Sequence, residues 1–93
     1  MKVLPFKANV DVRHSVIIQK MIFSYGYTWI GGHKNIFNND DAKFLYFGHP
    51  RYDMGLNLMR GGQRTNFFEA NLPIITYEEF MSLYRGRFIK FGR

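Results

Sequence analysis

Ile22-Phe23-Ser24-Tyr25-Gly26-Tyr27-Thr28-Trp29-Ile30-Gly31-Gly32 is the stretch on which the fold turns. Leading into it, Ile18, Met21, Ile22 and Tyr25 fall at i, i+3, i+4 and i+7, one stripe of a helix that starts near His14. Ile17 and Phe23 widen the apolar face, so the helix is expected to be covered on more than one side. Gly26 then stands where a left-handed C-terminal stop is wanted. Beyond it, Tyr27-Thr28-Trp29-Ile30 is rich in strand formers and carries the only Trp. Gly31-Gly32 can supply the positive φ angles of a two-residue hairpin, with His33 to Phe37 as the return strand. Helix stop, core anchor and hairpin turn account for these residues without a ligand.

Working outward, Phe6, Ala8, Val10 and Val12 alternate with Lys7, Asn9 and Asp11, the period of a half-buried strand. Pro5 suits its start. Asn38-Asn39-Asp40-Asp41 is a polar loop. Lys43 to Gly48 is the next strand, and apolar residues on both of its faces predict a central place in the sheet. His49 to Asp53 is a turn, Met54 to Met59 a strand, Gly61-Gly62 a second hairpin turn, and Gln63 to Phe68 a further strand. Thr76-Tyr77-Glu78-Glu79 is a capping box with Thr76 at the N-cap and Glu79 at N3, and Ile75 and Phe80 form its hydrophobic staple. The stripe of this last helix is expected to be Phe80, Leu83 and Tyr84, with Gly86 as its end. The predicted fold is α+β in two layers: a mixed or antiparallel sheet of four to five strands with two helices on one face. Residues 1–84 form the domain and 85–93 a basic C-terminal tail.

Ninety-three residues make one domain. Ten Phe and six Tyr give more aromatic surface than one small core can hide, so part of it is expected at an interface. With no Cys, disulfides and thiolate metal sites are excluded. The first residues lack the apolar run of a signal peptide and no stretch is long enough to span a membrane, so a cytoplasmic protein with no membrane partner is expected. The net charge is +6, of which Arg85, Arg87, Lys90 and Arg93 carry +4, while residues 1–84 hold nine bases against seven acids. A positive balance excludes an acidic mimic of DNA.

Gly26, Tyr27, Trp29 and Gly32, then Phe44 to Phe47, then Pro73, Ile74, Ile75, Thr76, Glu78, Glu79 and Phe80 also make up a wider pattern. In it a helix is followed by a Gly-aromatic-x-Trp-x-x-Gly corner, an aromatic strand and a terminal Ile-Thr-x-Glu-Glu-Phe helix. Over residues 12–84 the chain resembles small accessory proteins of tailed bacteriophages that share this pattern. The resemblance implies an early phage protein acting on a host component in the host cytoplasm during infection, in takeover or anti-defence. Its matching positions are mostly structural, and the basic tail after Arg85 departs from it.

Catalytic patterns are weak. His14, His33 and His49 stand in separate segments without metal-ligand spacing. Asp40-Asp41 and Glu78-Glu79 are sequence neighbours, not the opposed pair that general acid–base chemistry needs. No enzyme, metal site or cofactor is therefore expected. Arg60-Gly61-Gly62-Gln63-Arg64 could cradle an anion, but a hairpin turn with polar flanks explains it more simply. The partner-binding candidates are Arg51, Arg60, Arg64, Arg85, Arg87, Phe88, Lys90, Phe91 and Arg93. Cations beside aromatics suit interface anchors. The preferred reading is a non-catalytic protein that binds and modulates a host protein. The alternative is nucleic acid, bound by the basic, aromatic C-terminal segment. Homo-oligomerisation through a strand edge would use the same aromatic surplus.

Overall fold

The computed structural model describes residues 2–48, 58–60, 67 and 70–91, with 58–60 and 86–91 as backbone. Strand β1 spans Phe6–Asn9 and helix α1 Val12–Ser24. A 3-10 turn over Asp40–Lys43 leads into β2, Phe44–Phe47. Strand β3 is Leu58–Arg60 and helix α2 runs Tyr77–Phe91. The strands form an antiparallel sheet in the order β1-β2-β3, so β2 is central, as its two apolar faces predict. On the outer side of β1, Ile74 makes an isolated parallel bridge to Lys7. The protein is thus α+β, with a three-stranded sheet among the described residues.

The first strand is shorter than its alternation suggests, because Asp11 turns the chain into a helix two residues early. Its carboxylate accepts a 2.8 Å hydrogen bond from the His14 backbone N–H, the N-cap geometry. Val12 therefore belongs to the first turn of α1. The helix stops as predicted. The Tyr27 N–H reaches back to the Ile22 carbonyl and the Gly26 N–H to that of Phe23, a Schellman closure that needs the φ of +98° found at Gly26.

The corner that follows differs from expectation. The Gly32 N–H bonds to the Trp29 carbonyl and the Trp29 N–H to the His33 carbonyl, with Gly32 at φ +88°, so the tight turn is present. Tyr27–Ile30 and His33–Phe37, however, are not strands. Trp29 stands in an isolated bridge, and the backbone at Asn35 and Phe37 is held by side chains of the helix and the corner. The buried amide of Gln19 donates to the Phe37 carbonyl and accepts from the Phe37 N–H, both at 2.8 Å. The Trp29 indole donates to the Asn35 carbonyl at 2.6 Å. Once these groups are satisfied, the segment needs no sheet partner.

Both helices contribute to one core on one sheet face. It joins Phe6 and Ala8 of β1, Leu45 and Phe47 of β2, Ile18, Met21 and Ile22 of α1, and Phe80 and Tyr84 of α2. Trp29, 3% exposed, closes it by edge-on contacts with Phe23 and Phe37. The opposite face is not bare, as a two-layer sandwich would leave it. Tyr46, Phe67 and Ala70 form a second cluster there, joined by Phe44 and Leu72. Phe67 is helical, where a strand was expected. Lys7, assigned by alternation to the polar side, is only 4% exposed under this cover. Its Nζ donates to the carbonyls of Phe67 at 2.7 Å and Ala70 at 2.8 Å and lies 5.0 Å from the Phe67 ring.

The α2 start follows the capping box. The Glu79 N–H donates to Thr76 Oγ1 at 3.0 Å and the Thr76 N–H to Glu79 Oε1 at 3.1 Å. Its end does not follow expectation, since the helix continues through Gly86 to Phe91. Residues 85–91 are thus an extension of α2. Leu83, expected in the buried stripe, is 58% exposed, because Phe80 and Tyr84 already fill the inward row. The expected turn at His49–Asp53, most of the Met54–Met59 strand and the Gly61-Gly62 hairpin lie outside the described residues.

Candidate partner-binding face

Three segments converge at one edge of the fold. The chain before β1 is pinned there by two tyrosines: the Val3 N–H donates to Tyr27 Oη at 3.2 Å and the Leu4 N–H to Tyr84 Oη at 3.1 Å. The segment before α2 is fixed to β1 by the Lys7 N–H to the Pro73 carbonyl and the Ile75 N–H to the Lys7 carbonyl. The third segment is α2 itself. Between them lies an open groove of about 690 Å³, with Phe6 and Tyr84 buried at its base.

Leu4 and Ile74, each 60% exposed, line this groove together with Leu83. An exposed aliphatic residue on its own needs no explanation. Here, however, three of the five exposed large hydrophobics among the described residues meet at a single concavity. Their backbones are held by hydrogen bonds or a helix, so the surface is pre-formed. That is the anatomy of an interface core, which gains by burying apolar area on contact.

The basic candidates are placed unevenly. Arg85 is exposed on α2, two residues past Leu83, and Arg87, Phe88, Lys90 and Phe91 lie on the following turns of that helix. Arg60 lies on β3, opposite Leu45. That strand is separated from Ile74 by β1 and β2, roughly 14 Å at ordinary strand spacing. Arg51, Arg64 and Arg93 lie outside the described residues. Among the described residues, α2 alone joins basic candidates to the groove. Leu4, Ile74 and Leu83 were not among the expected binding residues. Periodicity allows Leu83 on either side of the helix, and only the packing of Phe80 and Tyr84 decides it.

A second, smaller depression of about 340 Å³ brings His14 beside Asp11, Thr76, Tyr77 and Glu78. His14 stacks on Tyr77 with ring centroids 3.8 Å apart, and its Nδ1 lies 3.5 Å from the Asp11 carboxylate. The hydrogen bond from the His14 backbone N–H is the main cause holding Asp11 below the usual carboxylate range, with the His14 and Arg13 charges adding to it. Asp11 and Glu79 act as helix caps, and Asp40 pairs with Lys43 at 3.4 Å. His33 Nδ1 accepts from the Asn35 N–H at 3.3 Å. Among the described residues, no hydroxyl hydrogen-bonds to His14, and no group of three His or carboxylate side chains could hold a metal ion. Among them too, no helix is long and apolar enough to cross a membrane.

In comparisons with protein-family models, with curated proteins and with solved structures, nothing matches this chain.

Proposed function

We propose that the chain is a small non-catalytic protein that docks on another protein through the groove between Leu4, Ile74 and Leu83. The observation that carries this is the convergence of three exposed aliphatic side chains on one pre-formed concavity. Water contacts with such a patch are unfavourable, and a partner's apolar side chains would remove them. The surplus of aromatic residues supports the same reading. With the bacteriophage resemblance added, the partner is a host protein met in the host cytoplasm, and binding modulates it.

The test is affinity capture from bacterial lysate with the full-length protein and with Leu83→Asp. That substitution charges the groove but touches no core contact, so circular dichroism should be unchanged. A protein retained in stoichiometric amount by the wild type and lost by the variant is the expected result. Identical captured sets would remove the groove as the binding surface.

A further inference from the structure

We infer that the groove receives an acidic, amphipathic segment of its partner. Aliphatic side chains of that segment seat against Leu4, Ile74 and Leu83, and its carboxylates meet the last turns of α2. The inference rests on the protein-docking reading above and adds the chemistry of the partner.

The charge pattern of α2 supplies the argument. Its only acids, Glu78 and Glu79, lie in the first turn, and Glu79, which lines the groove at the end away from the cations, is engaged in the capping box. After Glu79 the chain contains no acid, while Arg85, Arg87, Lys90 and Arg93 follow. Arg87 and Lys90 stand at i+4 and i+7 from Leu83, on the helical row that begins at the groove. A helix C-terminus carries a partial negative charge of about half a unit, which explains a preference for one cation there. Arg85, Arg87 and Lys90 far exceed it, so the helix that walls the groove ends in a strongly positive stretch. A segment with aliphatic anchors alone would leave that field unanswered, whereas carboxylates beyond the anchors would complement it.

Other occupants fit less well. A second copy docking symmetrically would bring two cationic helix ends to one interface, with like charges opposed. A nucleic acid would gain from the cations, but its phosphates and bases gain little from Leu4, Ile74 and Leu83, which offer no stacking plane.

The experiment is selection of short random displayed peptides on the full-length protein, followed by fluorescence anisotropy with the enriched sequences. Enriched peptides should combine at least a pair of large aliphatic residues with a run of Asp or Glu. Their affinity should fall about tenfold or more on Leu83→Asp and similarly on the double change Arg85→Glu and Arg87→Glu. It should also weaken from low to moderate salt. Circular dichroism of each variant reports folding. Enriched peptides that lack acids, or that ignore the arginine changes while remaining sensitive to Leu83→Asp, would overturn this inference and leave protein docking standing. Absence of enrichment, or indifference to Leu83→Asp, would overturn both. A dimer in sedimentation that Leu83→Asp dissociates would assign the groove to a second copy. Binding of a labelled mixed-sequence oligonucleotide that Leu83→Asp abolishes would assign it to nucleic acid.

Discussion

Gln19 shows how much a single polar side chain can organise. It is fully buried on α1, where an amide without partners would be costly, and its oxygen and nitrogen satisfy both backbone groups of Phe37. The same nitrogen also lies 3.0 Å from Ser15 Oγ. One residue thereby replaces the sheet pairing that the 33–37 segment does without. Gln19→Leu preserves size but removes both hydrogen bonds that the amide makes to the Phe37 backbone. We expect a loss of about 1–3 kcal/mol, read as a lower urea midpoint with an unchanged slope. Because Phe37 packs on Trp29, the indole fluorescence should also change in the folded baseline. A variant as stable as wild type would mean that water serves Phe37 equally well.

At the scale of elements, what was legible in the sequence is whatever local chemistry decides. The α1 stripe, the Gly26 stop, the central aromatic strand and the capping box are each specified by residues within a turn of one another, and each is present. The strands expected on either side of Gly31-Gly32 failed because strand propensity cannot tell a sheet partner from a buried amide arriving from another element. The end of α2 failed for a related reason. Glycine is the usual helix stop, but it is also tolerated within a helix at a modest cost, and local sequence does not separate the two. These alternatives make opposite predictions. Within a helix, Gly86→Ala should stabilise the protein by roughly 0.5–1 kcal/mol, because alanine loses less backbone entropy and has the higher propensity. At a left-handed stop the same change would be destabilising. Thermal melts should therefore show a small rise in midpoint, with slightly greater helical ellipticity. A fall would return the helix end to Gly86 and detach the basic residues from the groove wall.

For the whole molecule, the decisive fact is that the sheet is covered on both faces. Alternation could not reveal the second cover, because Lys7 reads as solvent-facing in any pattern of polar and apolar residues. Its long stem lets it lie within a small aromatic cluster, while its nitrogen finds carbonyls 60 and 63 residues away in sequence, at Phe67 and Ala70. At its own backbone, Lys7 also joins β1 to Pro73 and Ile75, the segment that carries Ile74 into the groove. One residue thus ties the second cluster to the sheet by its side chain and shapes the docking face by its main chain. Lys7→Ala separates these roles. It keeps the backbone bonds but removes the two hydrogen bonds from Nζ to the Phe67 and Ala70 carbonyls and the cation above the Phe67 ring. The cost should be about 1.5–3 kcal/mol for each hydrogen bond lost from the charged nitrogen. It should also be local: Ser15, Ile18 and Met21 of α1 belong to the opposite face and do not touch the altered site. Native-state hydrogen exchange can tell the two levels apart. The Leu72 amide, bonded to the Ala70 carbonyl, should lose more protection than the amides in the middle of α1. Equal losses at both would show that the two faces unfold as one unit, and that Lys7 supports the whole sheet rather than its second cover.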